Sequence, residues 1–460
     1  MDAFDVVVLG GGIGGYTAAA KLAQSGLRIA LVEQDKVGGV CLHRGCVPTK
    51  LFLEAAEALS LIRRSAKFGI EVENIRLDYA SLARRKDEIV AGLHKNVRNV
   101  LRKHRVDTIE GRARLLSPTR IGVDGRTVET KHVVLATGSR PRALSGLPID
   151  GERVLTSDHA LNLPEVPRSV IIIGGGVIGL EFSSLYIDMG CEVTLIELMP
   201  HLLPGEDRDL GDGIGRLLAQ RGATVMTGAK VLPDRTRFYD DRVEMVVEHV
   251  GQEETVQGEK VLVAVGRQGN VEDIGLEDTR VRVEDDFVAV DGRMRTDEPN
   301  VYAIGDVVGE PLLAHAAALE AMVAAEAIAG GEPEAIDYAR VPRVVYSRPQ
   351  IAVVGLTEAE ASAGGHKVKA TRFSLRYNAM AVIKDETAGF VKLVSDADSG
   401  DLLGVHILGA NAAELIAPAA LARWLDVSTW ELATSIYPHP SLSEALGEAA
   451  QMSAGMSIYL

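Results

Sequence analysis

One local pattern occurs twice in this chain and limits what it can become. Asp5-Val6-Val7-Val8-Leu9 reads as a buried strand and leads directly into Gly10-Gly11-Gly12-Ile13-Gly14-Gly15. A helical stretch follows through Tyr16 to Gln24, and a second apolar strand, Arg28 to Glu33, ends in a carboxylate. The order returns as Ser169-Val170-Ile171-Ile172-Ile173, then Gly174-Gly175-Gly176-Val177-Ile178-Gly179, a helix, and Val193 to Glu197. Strand, Gly-x-Gly-x-x-Gly, helix, strand and acid is the pattern of a dinucleotide fold. The glycines let backbone amides approach a pyrophosphate at a helix N-terminus, and the acid accepts from a ribose hydroxyl. A single copy also fits a packing loop; two copies, each with its acid, predict two bound dinucleotides. Gly10, Gly12, Gly15 and Glu33 are the candidate contacts of the first, and Gly174, Gly176, Gly179 and Glu197 those of the second.

If the second ligand is a nicotinamide dinucleotide, its acid selects NAD over NADP. Glu197 suits a free 2′-hydroxyl and repels a 2′-phosphate, and positions 198–206 hold no Arg or Lys to receive one.

Between the two copies lies Gly38-Gly39-Val40-Cys41-Leu42-His43-Arg44-Gly45-Cys46-Val47-Pro48-Thr49-Lys50. Helical periodicity starts near Cys46, through Leu51, Leu53, Ala55, Ala56, Leu59 and Ile62. Cys46 therefore sits near a helix N-terminus, where the macrodipole favours an anion, and Lys50 follows on the same face. Both effects stabilise a thiolate, the reactive form of cysteine. On spacing alone a redox-active disulfide, a structural disulfide and two inert thiols all remain open. A structural bridge over so short a loop contributes only about 2 kcal/mol, and a chain of 460 residues has ample core without it. The third cysteine, Cys191, reads as a small buried hydrophobe in a helix-to-strand turn. No second Cys or His pair has zinc-ligand spacing.

Charge and length exclude other classes. The 49 Lys and Arg against 64 Asp and Glu leave a net charge of −15, which argues against nucleic acid or an anionic membrane as partner. No apolar run is long enough to span a bilayer. The first strand starts too early to leave room for a signal peptide, so a cytoplasmic location is expected. The run Arg84-Arg85-Lys86-Asp87-Glu88 reads as a solvated charged face.

Gly-Gly-x-Cys-x4-Cys-x-Pro-x-Lys resembles the signature of the flavin-dependent pyridine nucleotide–disulfide oxidoreductases. The Leu42-His43-Arg44 between the cysteines is most similar to the branch that oxidises dihydrolipoamide. Four further motifs follow in that family's order: Ala136-Thr137-Gly138, the second Gly-rich loop, Gly305-Asp306, and His439-Pro440-Ser441-Leu442-Ser443-Glu444. The resemblance covers essentially the whole chain. It implies an α/β fold with two Rossmann-like domains, for FAD and NAD, and a C-terminal α+β dimerisation domain. The implied boundaries are residues 1–145 and 269–337 for the FAD-binding parts, 146–268 for NAD and 338–460 for dimerisation.

The same resemblance implies roles. Cys41 and Cys46 form a redox-active disulfide, and Lys50 pairs with Glu181 beside the flavin. Gly111 lies near the adenine of FAD, Thr137 and Gly138 close the first flavin portion, Asp306 holds the ribityl chain, and the Ala314 amide faces the reduced ring. Val231 and Gly266 lie near NAD. His439 is an acid–base histidine oriented by Glu444, which by spacing alone reads as the capping-box partner of Ser441. In relatives that histidine reaches the disulfide of the other subunit, so the site is shared across a homodimer. The implied reaction is dihydrolipoamide + NAD → lipoamide + NADH, with lipoyl domains of 2-oxoacid dehydrogenase or glycine-cleavage complexes as partners. The alternative is another NAD(P)H-dependent disulfide reductase of the family. Glu197 and the aliphatic Val177 disfavour the glutathione type, and a cysteine-free C-terminus disfavours the mercuric and large thioredoxin types. The chain departs from the pattern at Ala321, where glycine is common, at Gln350, where glutamate is common, and at Tyr437, where relatives often carry histidine.

Overall fold

Repetition in the sequence becomes repetition of a sheet in the computed structural model, which describes residues 3–309 and 311–459. The chain divides into two units. The first comprises Met1–Leu51, Ala80–Arg142 and Gly266–Ile336; the second comprises Phe52–Tyr79, Ala143–Val265 and Asp337–Leu460.

In the first unit, strands Asp107–Glu110, Ile29–Glu33, Ala3–Leu9, Arg126–Leu135 and Val301–Ala303 lie side by side and parallel. Ile29–Glu33 and Ala3–Leu9 are near-continuous apolar runs because both faces of such a sheet are covered. Val6, Val7 and Val8 are wholly buried, each stabilising the fold by about 1.5–3 kcal/mol relative to exposure. Helices Ile13–Gln24 and Ala314–Ile328 cover one face through small residues. A Cβ on Gly14 would lie only 3.4 Å from the Ala317 carbonyl oxygen. Ala321, the departure from glycine, is fully buried in that layer. The N-terminal half of Arg126–Leu135 carries an antiparallel extension, Arg120–Val123 and Ala113–Ser117.

The second unit repeats the arrangement with Thr224–Thr227, Glu192–Glu197, Ser169–Ile173, Lys260–Val263 and Val154–Leu155, again all parallel. Three antiparallel strands spanning Ala229–Phe238, Val243–His249 and Gln252–Gly258 accompany it. The unit also holds an antiparallel sheet in the order Arg343–Val345, Gln350–Gly355, Leu402–Gly409, Phe390–Asp396, Val368–Ser374. Helices Ala412–Trp424 and Glu444–Ala454 pack on it around Phe373, Leu393, Val405 and Ile407. Gln350 serves this layer: its Oε1 accepts from the Ala413 amide at 3.1 Å. No helix among the described residues is long and apolar enough to cross a membrane.

Within the second unit a buried cation joins the dinucleotide sheet's helix to the antiparallel sheet. Lys392 Nζ lies 2.9 and 3.0 Å from the carboxylate oxygens of Asp207, 3.0 Å from Asp209 and 2.9 Å from Glu358. Asp207 caps helix Arg208–Gln220 by accepting from the Asp209 amide. Burial, the largest single influence, would raise the Asp207 carboxyl, but the Lys392 hydrogen bonds and charge, the nearby His406 and the Asp209 amide together hold the pKa below its ordinary value. A depressed carboxyl stabilises the fold above its unfolded pKa of about 3.9, and that contribution is lost as pH falls through the depressed value. Removing the cation reverses the preference, because an unpaired buried carboxylate favours protonation. Lys392→Met should therefore lower stability at pH 7 by roughly 3–5 kcal/mol, with the deficit shrinking towards pH 4. Urea melts at the two pH values check this; equal deficits at both would overturn it.

Candidate active site

The two cysteines lie on two successive helices. Sequence periodicity points only to the second, Cys46–Arg63; the structure adds a short helix, Gly39–Arg44, that carries Cys41. It begins because Gly38 and Gly39 take positive φ, and because Gly39 has no side chain. A Cβ there would lie 2.6 Å from Gly12 Cα, in the first nucleotide loop. Gly45, at φ −138° and ψ −115°, ends it. Across that break the Cys41 thiol is hydrogen-bonded with Cys46. This bond and burial push the Cys41 pKa far up, while the nearby Lys50 charge opposes them. Cys41 is half-buried and Cys46 exposed. Gly45 O accepts from the Thr49 amide and hydroxyl, at 3.0 and 2.6 Å, and so fixes the first turn after Cys46.

Two histidines brace this loop. His43 Nε2 lies 3.0 Å and His94 Nδ1 2.9 Å from the same Val37 carbonyl oxygen. A carbonyl only accepts, so both nitrogens carry protons. The rings meet edge to face, with centroids 5.2 Å apart. Sequence reasoning took His43 only as part of the family signature and missed His94; no local periodicity joins residues 51 positions apart.

The first nucleotide loop has the features its pattern requires. A Cβ on Gly10 would lie 2.2 Å from Ala136 O, and one on Gly15 would lie 1.9 Å from Gly10 O, so both positions exclude a side chain by packing. A Cβ on Gly12 would meet nothing within 4 Å. That glycine borders open space at the mouth of helix Ile13–Gln24, where a pyrophosphate suits the N-terminal amides. Glu33 accepts from the Gly11 amide at 2.7 Å and from the Asp35 amide at 2.8 Å. Gly111 N–H donates to the Glu33 carbonyl at 2.9 Å, which sets Gly111 beside the acid.

Asp306 is held by groups the sequence did not reveal. Ser139 Oγ donates to its carboxylate at 2.6 Å, and Arg267 Nε donates to Ser139 Oγ at 2.7 Å. Glu320, buried, accepts from the Gly305 amide at 2.5 Å and so fixes the turn that presents Asp306. Thr137 and Asn270 exchange hydrogen bonds of 2.8 Å beside Gly138. Helix Ala314–Ile328 starts at Leu313 with no side-chain cap, leaving its first turn to another acceptor. An open glycine at a helix mouth, an acid at the second strand and a positioned aspartate fit a flavin dinucleotide.

The second loop reproduces the first. Gly179 would clash with Gly174 O at 1.9 Å if it bore a Cβ, and Gly176 again borders open space. Glu197, buried, accepts from the Gly175 amide at 2.5 Å and the Met199 amide at 2.7 Å. These groups fit a nicotinamide dinucleotide without a 2′-phosphate. Val231 is half-buried in strand Ala229–Phe238, and Gly266 lies just past strand Lys260–Val263 at φ 105°. Glu181, buried on the helix after the loop, accepts from the Tyr346 amide at 3.0 Å. Cys191 is buried, and burial pushes its thiol up to about 12.

Near the C-terminus His439 Nδ1 lies 2.7 Å from Glu444 Oε1, with the imidazole 72% and the carboxylate 22% exposed. The carboxylate accepts, so Nδ1 carries the proton and Nε2 presents a lone pair. The other Glu444 oxygen accepts from the Ser441 amide at 2.8 Å. Only this half of the expected capping box forms, because the helix starts at Glu444 and the Ser441 hydroxyl pairs with Ser443 Oγ. Tyr437 packs on Gly447, where a Cβ would lie 2.5 Å from its ring, and its hydroxyl donates to Leu432 O at 3.3 Å. Glu181, His439 and Glu444 belong to the second unit; Cys41, Cys46 and Lys50 belong to the first.

Comparison with known proteins agrees with this inventory. Residues 4–321 match the family described as pyridine nucleotide-disulphide oxidoreductase, and residues 341–450 match that family's dimerisation domain. The chain is 43% identical to dihydrolipoyl dehydrogenase of Bacillus subtilis over 99% of both chains. It is 40% identical to the Chlorobaculum tepidum enzyme of the same name, over 97% of this chain and 96% of that one. It resembles the crystal structure of LpdA from Mycobacterium tuberculosis with a TM-score of 0.89 and 29% identity, covering 98% of this chain and 99% of the other. With the two nucleotide loops, the paired cysteines and the C-terminal sheet all in place, the chain belongs to the pyridine nucleotide-disulphide oxidoreductases, enzymes that use FAD and NAD.

Proposed function

We propose that this enzyme oxidises dihydrolipoyl groups, carried on acyltransferase or glycine-cleavage carrier proteins, to lipoyl groups while NAD becomes NADH. The observation that carries the reading is the pairing of Cys41 with Cys46 on a loop packed against the first nucleotide loop. Relatives named dihydrolipoyl dehydrogenase, alike over nearly the whole chain, support it. Residues 1–145 and 269–337 form the FAD-binding parts, 146–268 the NAD-binding domain and 338–460 the dimerisation domain.

Gly10, Gly12, Gly15, Glu33, Lys50, Gly111, Thr137, Gly138, Asp306 and Ala314 would hold FAD. Gly174, Gly176, Gly179, Glu197, Val231 and Gly266 would hold NAD. The flavin supplies a two-electron acceptor that can pass the pair on to NAD as hydride. The protein's own steps concern thiols and protons. His439 of the partner subunit takes a substrate thiol proton at Nε2, and Glu444 holds Nδ1–H and stabilises the imidazolium. The substrate thiolate attacks Cys41 Sγ; the Cys41–Cys46 bond breaks and Cys46 leaves as a thiolate. The second substrate thiol attacks the sulfur joined to Cys41, closes the lipoyl disulfide and releases Cys41. Cys41, whose pKa the bond with Cys46 raises, keeps that second proton. The substrate has lost two electrons and the cysteine pair has gained them. The helix N-terminus and the Lys50 charge stabilise the Cys46 thiolate, and Glu181 is the partner that steadies Lys50.

Thiol counting tests the pairing without activity. Unfolded oxidised enzyme should show one free thiol, Cys191, and three after reduction. Three before reduction would remove the disulfide. Anaerobic mixing with dihydrolipoamide and NAD should yield NADH; preferential reduction of glutathione disulfide by NADH would assign the enzyme to the family's other reductases. His439→Gln should lower turnover of dihydrolipoamide by about 10²–10⁴-fold. Electron transfer from NADH to ferricyanide, which bypasses the thiols, should be unchanged. An equal loss in both assays would deny His439 the proton-transfer role.

A further inference from the structure

The helix Tyr79–Lys103 stands out in an acidic protein. It carries seven Lys or Arg against two acidic residues, in a chain of net charge −15. At 100° per residue, Arg84, Lys95, Arg98 and Arg102 fall within about 60° of one another, a stripe about 27 Å long. All four are exposed, as are Arg85 and Lys103 beside them. The opposite face holds Ile89, Leu93, Val97 and the buried Leu101. Lys86 is the exception: it is buried on the inner face and paired with Asp87 at 3.2 Å. Among the described residues no carboxylate forms an ion pair with Lys95, Arg98 or Arg102. Arg102 complements the C-terminal end of the helix dipole, but Lys95 and Arg98 lie further from that end, and the spacing of Lys95, Arg98 and Arg102 makes them repel one another.

The stripe adjoins the redox loop. His94, on this helix and one residue before Lys95, shares the Val37 carbonyl with His43, which lies between the two cysteines. The stripe thus runs along the helix that braces the loop carrying Cys41. Charges beyond about 8 Å are largely screened at physiological salt, so an object resting on the stripe meets the local cations rather than the chain's overall negative charge. Elsewhere the acidic surface repels the same partner, which confines docking to this place.

We infer that this stripe docks an acidic protein domain that presents the dihydrolipoyl arm to Cys41. The inference rests on the function proposed above and names the surface through which a carrier, rather than free substrate, is recognised.

The test uses the intact flavoenzyme, a lipoylated carrier domain of net negative charge and free dihydrolipoamide. In the variant Lys95→Glu/Arg98→Glu/Arg102→Glu, kcat/KM for the carrier should fall at least about tenfold at low salt, within the range that electrostatic steering supplies. Its dependence on salt should flatten, while kcat/KM for free dihydrolipoamide should not change. The milder Lys95→Gln/Arg102→Gln variant should fall between the two and guards against misfolding. Unchanged carrier kinetics, or an equal loss with free dihydrolipoamide, would overturn the docking surface. So would loss of binding to anionic phospholipid vesicles with carrier kinetics intact, which would make the stripe a membrane contact. Wild-type enzyme that oxidises neither substrate would instead defeat the functional reading itself.

Discussion

Two backbones in van der Waals contact organise the catalytic half of this protein. Gly39 lies so close to Gly12 that one methyl group would sit 2.6 Å from its Cα, and the Gly38 amide donates to the Gly11 carbonyl at 2.7 Å. The nucleotide loop and the cysteine loop are therefore two sides of one layer of peptide. The proposed electron transfer needs the thiols beside a flavin on the nucleotide loop, and the contact between the loops would supply that proximity before any side chain takes part. The dense use of glycine follows: side chains between the loops would push them apart.

The two halves of the molecule also show one solution used for two ends. Glu33 and Glu197 stand 164 positions apart, as do Gly10 and Gly174, Gly12 and Gly176, and Gly15 and Gly179. Each glutamate accepts one amide from its own glycine loop and one from the turn beyond its strand. The carboxylate thus fixes the loop on which the proposed ligand would rest. If it also accepts from the ribose, binding and preorganisation rest on the same atoms, which is why an acid at that point is so informative.

What could be read from the chain was whatever chemistry is written locally. Both nucleotide units occupy short windows with obligatory spacing; the cysteine pair and the His439–Glu444 pair are just as local, but their chemistry came from the family resemblance rather than from spacing. The groups missed are those whose partners lie far along the chain. Glu320 reaches Gly305 from the far side of a helix, Ser139 and Arg267 meet at Asp306 from separate segments, and His94 meets His43 across 51 residues. Nothing in their own neighbourhoods distinguishes them from an ordinary buried acid, a turn serine or a surface histidine. The helix Gly39–Arg44 was hidden for another reason: six residues flanked by glycine have too little periodicity to register.

The asymmetry of the two thiols is the last consequence of this geometry. They are five positions apart, yet Gly45 places them on different helices and so in different fields. Cys46 opens an 18-residue helix, where the macrodipole stabilises a negative sulfur. Cys41 sits in a six-residue helix too short to offer a comparable field, is half-buried, and spends its proton on the bond with Cys46. When the pair holds one proton, the physics assigns it to Cys41 and the charge to Cys46. A symmetric dithiol would distribute that charge over both sulfurs and face the substrate and the flavin with equal reactivity. In the proposed reaction, that one break in a helix separates the sulfur that meets the substrate from the sulfur that delivers the electrons.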